Sequence, residues 1–297
     1  MDLGLTTPIV TLTPHGHAPW EREAGPDALQ RIAESADRLG FHHLTCSEHV
    51  GIPSEVGRTR GFRYYDPLST FGYLSATTER IRFATHVVVL PYHHPLEVAK
   101  RYGTLDRISG GRLILGVGVG SLEEEFDLLG VEFADRGPRY EDALRALRAA
   151  LSEREPSYRG SHHAFEGFVI DPCAVQERVP LWIGGRSARS LRRALEFADG
   201  WDPFGLGLEE LEALLGRARQ TPIWQEREER GDPLTVVLSP RRPMDPSTPR
   251  GLSEAREVCR SYATIGASVL SLRFRSESLE HYLEQLQICA ERLAPEL

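Results

Sequence analysis

The stretch from residue 81 to residue 120, IRFATHVVVLPYHHPLEVAKRYGTLDRISGGRLILGVGVG, decides the fold. It opens with the apolar, β-branched run Ile81–Leu90. Pro95 then starts a segment with Val98, Ala99, Tyr102 and Leu105 on one helical face, since proline suits the first turn of a helix. A second apolar run, Leu113–Val119, follows. Runs without polar alternation fit strands buried on both faces. Strand, helix and strand in that order make a right-handed parallel βαβ unit.

The same alternation extends both ways. Further strand-like runs are Leu3–Val10, His43–Cys46, Leu181–Ile183, a short run around Trp201, Thr235–Leu238 and Ser268–Leu272. Helical stripes lie between them. Leu29, Ile32, Ala33 and Ala36 share a face that Gly40 can close, and Leu191, Ala194, Leu195 and Ala198 follow a Ser187 N-cap. Tyr140, Ala143, Leu144 and Leu147 make another stripe, and Leu279, Tyr282, Leu283 and Leu286 the last. About eight units in a chain of 297 residues predict a single α/β domain over 1–297, a (β/α)8 TIM barrel. A doubly wound open sheet is the rival, and the missing GxGxxG turn after the first strand counts against it. Two irregular stretches read as insertions on the barrel. Residues 153–179 hold HHAFEGFVI, one or two extra strands with a turn at Gly167, and residues 239–252 hold the proline-rich loop RRPMDPSTPR.

Composition narrows the function. Lys plus Arg is 35, Asp plus Glu is 43, and the net charge is −8, which argues against a general nucleic-acid binder. Lys100 is the one lysine, so no Gly-Lys-Ser/Thr phosphate loop exists. Cys46, Cys173, Cys259 and Cys289 stand too far apart for a zinc-like pattern, and the expected metal content is none. The first residues carry no basic and apolar leader and no run reaches a membrane span, so a cytoplasmic protein without membrane contact is expected.

In a barrel of this kind chemistry gathers at the C-terminal ends of the strands. That rule selects Ser47, Glu48 and His49 after the second strand, Pro91, His93 and His94 after the third with Thr85 and His86 inside it, Gly116, Gly118 and Gly120 in the fourth, Gly184-Gly185-Arg186-Ser187 after the fifth and Arg273 after the eighth. His49 can exchange a proton near neutral pH, or be tied to a neighbouring carbonyl. The Gly184–Ser187 turn can present backbone N–H groups to an anion at a helix start, or be a plain tight turn. The alternating glycines leave room for a flat ring, or relieve crowding inside the barrel. Phe62, Tyr64 and Tyr65, in a loop with Arg58, Arg60 and Arg63, either line a pocket or lie on the surface. Adjacent histidines such as His93-His94 point to opposite faces of a strand and seldom chelate one ion.

From about Leu3 to about Phe204 the chain resembles the luciferase-like monooxygenase superfamily, in particular its deazaflavin (coenzyme F420)-dependent oxidoreductase branch. The resemblance is carried by ADRLGFHHLTCSEH, DPLSTFGYLSATTERIRFATHVVVLP, HPLEVAKRYGTLDRISGGRLILGVGVGSLEEEF and PLWIGGRSARSLRRALEFADGW. It implies a ring-binding barrel mouth, with His49 beside the hydride-carrying carbon and Glu48 orienting His49 or the ring. It implies a non-proline cis peptide at His86-Val87, ring contacts at Val119 and Glu124, and the cofactor phosphate against Gly184, Gly185, Arg186 and Ser187, with an Arg-rich rim near Gly185. Ser121 stands where sugar-phosphate dehydrogenases of this branch carry a catalytic glutamate, so another small-molecule substrate is expected. Two alternatives are an FMN-dependent monooxygenase fed by a partner reductase and a non-catalytic flavin-binding protein. A homodimer is common in the family.

Overall fold

The computed structural model describes residues 1–14 and 16–297. Eight parallel strands close into a barrel: β1 (Asp2–Leu5), β2 (His43–Cys46), β3 (Arg82–Thr85), β4 (Leu113–Gly118), β5 (Leu181–Gly184), β6 (Gly200–Asp202), β7 (Thr235–Leu238) and β8 (Val269–Leu272). Each strand pairs with the next, and β8 returns to β1 with Leu3 opposite Leu270, so no edge is left open. Eight helices cover the outside in turn: α1 (Pro26–Leu39), α2 (Pro67–Ser75), α3 (Pro95–Ile108), α4 (Arg136–Ala150), α5 (Ala188–Phe197), α6 (Leu208–Arg219), α7 (Pro249–Thr264) and α8 (Leu279–Ile288). This is the expected (β/α)8 barrel.

Local chemistry sets the boundaries. Gly40 ends α1 at φ 80°, where a side chain would be strained, and Ser187 caps α5 by accepting from the Ser190 N–H. Outward-facing Leu5, Leu44, Phe83, Leu115 and Leu181 pack under the helices in the main core. Inside, Ala84, Ile114, Trp182, Val237 and Val269 form a separate plug. Gly200 carries no side chain because Trp182 fills that space.

Three expectations are corrected. The run Leu3–Val10 pairs only as far as Leu5, because Thr7 and Thr45 exchange side chain–backbone bonds (3.1 and 2.9 Å) in place of a ladder. Ile9 then turns the chain at φ 74°, its N–H held by Glu21 Oε2 at 2.9 Å. Within 153–179 the hairpin pairs Tyr158–Arg159 with Ala164–Phe165, so the reversal falls at 160–163 rather than at Gly167. Its anchor is the Asp142 carboxylate on α4, which accepts from the N–H groups of Ser161, His162 and His163 and from the Tyr158 hydroxyl. The proline-rich loop stops at Thr248, the N-cap of α7, since Pro249 begins the helix. Among the described residues no helix is long and apolar enough to cross a membrane.

His43 sits wholly buried in the lumen, bonded to Ser271 Oγ at 3.0 Å and to His42 at 2.9 Å. Burial, then the charges of His42, His86 and Arg82, push its basicity well below the ordinary 6.5. The unfolded chain therefore binds the proton first, and stability falls as pH drops below about 6.5. His43→Gln should flatten that acid limb in urea denaturation between pH 7 and 5. An unchanged slope would remove His43 as its source.

Candidate active site at the mouth of the barrel

The backbone after β3 is bonded tightly to the end of β2. The His86-Val87 peptide is cis, where the resemblance implies it. The His86 carbonyl accepts from Ser47 Oγ at 2.7 Å, and the Val87 carbonyl from the Glu48 N–H at 3.3 Å. Glu48 Oε2 accepts from the Val89 N–H at 2.7 Å, and Glu48 Oε1 from His93 Nε2 at 2.8 Å. Both carboxylate oxygens are committed, so Glu48 does not orient His49. It fixes the segment from residue 86 to residue 93 instead.

That segment explains the glycines. A Cβ on Gly118 would stand 2.6 Å from one Val87 methyl, and a Cβ on Gly184 would stand 2.7 Å from the other. Gly116 gives way to the Thr85 carbonyl, and Gly120 to Phe126 and Val89. The crowding alternative holds at Gly116 and Gly118 in β4 and at Gly120 just beyond it: the space beside each glycine is taken by the protein's own atoms.

His49 takes its partner from the short helix Glu123–Leu129 that follows β4. Its Nδ1 donates to Glu125 Oε2 at 2.9 Å, and Tyr92 Oη donates to the same oxygen at 2.9 Å. Glu125 Oε1 accepts from the Val50 and Gly51 N–H groups at 2.5 and 3.1 Å. Burial works to raise Glu125, but the bonds from His49, Gly51 and Tyr92 outweigh it and hold the carboxyl below its ordinary value. An ionised carboxylate only accepts, so the His49 Nδ1 carries the hydrogen and Nε2 remains for other chemistry. Tyr64 covers the imidazole edge to face at 4.5 Å, while Phe62 lies on the surface. Glu124, expected at the ring, points to solvent. Leu122, Glu125 and Phe126 share one helical face, a spacing of three and four that singles out Glu125.

Asp202, at the end of β6, is a site residue that no sequence motif marks. It is fully buried, faces the lumen opposite Gly184, and accepts from His86 Nδ1 at 2.7 Å. Burial opposes charging His86, but the Asp202 charge and hydrogen bond prevail and raise its basicity. Val119 is half-buried at the end of β4. Gly185 takes φ 114°, Arg186 lies exposed 5.7 Å over the Phe204 ring, and Ser187 Oγ is engaged in its cap. Arg192 and Arg193 are tied to Glu141 and Glu196, whereas Arg186 and Arg189 are exposed.

Beside this network lies a cavity of about 390 Å³ lined by Tyr92, His93, His94, Arg139, His162 and His163, among others. The Arg139 Nε is buried there without a partner. No group of three or more His, Cys, Asp or Glu among the described residues is arranged to hold a metal ion.

A TIM barrel whose mouth carries carboxylate-bound histidines beside a cavity lined by histidines and Arg139 defines a scaffold for a cofactor-assisted enzyme. The sequence profile described as luciferase-like monooxygenase matches residues 7–287, and the chain belongs to that family of flavin-type oxidoreductases. An uncharacterized protein of Mycobacterium tuberculosis is 31% identical over 233 residues, covering 73% of this chain and 80% of that protein. The oxygenating constituent of the type II Baeyer-Villiger 3,6-diketocamphane monooxygenase from Pseudomonas putida, solved with FMN, superposes with TM-score 0.69 at 14% identity over 100% of this chain and 98% of that one. The coenzyme F420-dependent tetrahydromethanopterin reductase of Methanopyrus kandleri superposes with TM-score 0.68 at 15% identity over 92% and 96%. At such identities the likeness is of fold alone. The residues present suit a flavin-type group: the unpartnered Arg139 Nε matches a phosphate, and the mouth is lined by polar, titratable side chains.

Two substitution series check this geometry. Gly118→Ala should cost about 1–3 kcal/mol by overpacking Val87. Adding Val87→Ala should return part of that loss, and strictly additive effects in the double-mutant cycle would refute the packing account. Glu125→Ala leaves four donors without an acceptor and should cost roughly 3–5 kcal/mol. Glu124→Ala should stay within about 0.5 kcal/mol of the parent by the same denaturation assay.

Proposed function

We propose that the chain is a coenzyme F420-dependent oxidoreductase that moves a hydride to or from a small organic substrate. The observation that carries this reading is His49, whose Nδ1 is held by Glu125 while Nε2 carries no bond to another described side chain. The cofactor, when bound, supplies the hydride chemistry. The chain supplies position, water exclusion and proton handling. His49 Nε2 takes up or gives back a proton at the reacting site. Tyr64 and the buried Glu125 hold the imidazole in one orientation. Glu48, through Val89 and His93, keeps the segment around Val87 in place as the wall of the site. Arg139 and the Gly184–Ser187 turn are the two candidates for the phosphate.

The long match from β3 to β4 supports the deazaflavin branch. A second reading, an FMN-dependent monooxygenase supplied by a partner reductase, is supported by the FMN-bound neighbour that shares the whole fold. Equilibrium binding of oxidised coenzyme F420 and FMN, followed by ring fluorescence, separates the two. We expect tight F420 and weak FMN binding, and the reverse would favour the monooxygenase. Arg139→Ala should weaken binding about tenfold or more for the phosphorylated cofactor and leave its phosphate-free chromophore unaffected, the loss of one charge-assisted contact. If both forms bind as before, the phosphate belongs at Gly184–Ser187. His49→Ala should bind the cofactor yet lose turnover, whereas a carrier would have no turnover to lose.

A further inference from the structure

The mouth holds two histidines, each with Nδ1 on a buried carboxylate, and the two carboxylates are not alike. Glu125 shares its charge among four donors: His49, Tyr92, Val50 and Gly51. Asp202 has one donor, His86, and its other oxygen, Oδ1, is buried with no partner at all. A buried carboxylate with a single neutral hydrogen bond is costly, and a positive charge on that one neighbour would offset the cost. The imidazole of His86 is the group available. Its Nδ1–Oδ2 bond is 2.7 Å, its side chain keeps 22% of its surface open, and no partner for its Nε2 occurs among the described residues.

The bond from His86 to Asp202 also crosses the mouth, from the end of β3 to the end of β6, above β4 and β5. It passes where Gly118 and Gly184 carry no side chains and Val87 fills the gap. Another titratable neighbour in the lumen, His43, has its basicity pushed well below the ordinary value by burial and by the nearby charges of His42, His86 and Arg82, so it does not compete for the proton. Of the two, His86 is the one whose surroundings favour a positive charge. It presents an N–H donor to whatever occupies the mouth.

We propose that His86, held as an imidazolium by Asp202, is the subsite for an anionic oxygen of the bound ring, while His49 remains the proton acceptor. This rests on the proposed function, in which the mouth binds a flavin-type ring. The two carboxylates differ: the charge of Glu125 is shared among four donors, whereas Asp202 has His86 alone, which favours the charged form of that imidazole. A ring with an ionisable hydroxyl conjugated to its carbonyls, as in an 8-hydroxy-5-deazaflavin, carries its negative charge on peripheral oxygens. It would gain most from such a donor.

Two measurements test this. The first needs no ligand: an NMR titration of the histidine ring protons in the free protein. His86 should stay protonated above pH 6.5, and Asp202→Asn, which keeps a hydrogen-bond acceptor but removes the charge, should abolish that. If His86 of the unmodified protein is neutral at pH 6.5, the proposal falls even where the ring binds. The second is an absorbance titration of the phosphate-free 8-hydroxy-5-deazaflavin chromophore, free and bound. Binding should favour the ring anion about tenfold or more, so that the bound ring ionises at a pH lower by about one. His86→Gln, whose amide can still donate to Asp202, should remove that preference while the neutral ring binds as before. A ring that binds with the same ionisation in parent and His86→Gln protein overturns the subsite and leaves the functional reading standing. If neither the chromophore nor FMN binds, the functional reading fails and the subsite with it, whatever the state of His86.

Discussion

The upper end of this barrel depends on three buried or nearly buried carboxylates that each hold one histidine: Glu48 with His93, Glu125 with His49 and Asp202 with His86. An unpaired charge at these depths would cost several kcal/mol, so each pair is an obligation of the fold before it is a device for chemistry. The pairs join elements far apart in sequence. His49 and Glu125 are separated by 76 residues, and His86 and Asp202 by 116. Together they tie the loops after β2, β3, β4 and β6 into one network, so the mouth is held rigid by the groups that would act in it.

The barrel itself is legible because its strands are buried on both faces and read as unbroken apolar runs. All eight runs contain a strand. What the runs do not show is where pairing stops. Leu3–Val10 is apolar throughout, yet Thr7 and Thr45 satisfy each other through their hydroxyls and the ladder ends at Leu5. The hairpin within 153–179 turns where Asp142, on a helix elsewhere in the chain, collects three backbone N–H groups. Local sequence favours Gly167 because only glycine advertises its turn.

The site is legible in place and illegible in partnership. The rule of strand ends finds Glu48, His49 and His86, and the resemblance adds Val87, but Glu48 is read with its sequence neighbour His49, whereas it bonds Val89 and His93. Successive side chains leave a strand end in different directions, so adjacency is a poor guide to contact. Glu124 stands in for Glu125 for the same reason: the resemblance locates the turn after β4, while helical pitch decides which of three consecutive glutamates faces inward. Asp202 lies in the weakest of the eight runs, three residues long, and nothing local marks its aspartate as a histidine partner.

The glycines carry the last step. Three of them alternate in or just beyond β4, and a ligand looks like a reason for them; the structure supplies another. With Val87 lodged between Gly118 and Gly184, the wall of the lumen beneath the mouth is continuous protein, closed by the Trp182 plug below. The elements that carry His49 and His86 end beside that wall, His49 bonded to Glu125 and His86 to Asp202. The packing that removes side chains from β4 and β5 thus leaves the mouth above them to be bounded by two histidines, each held by a buried carboxylate.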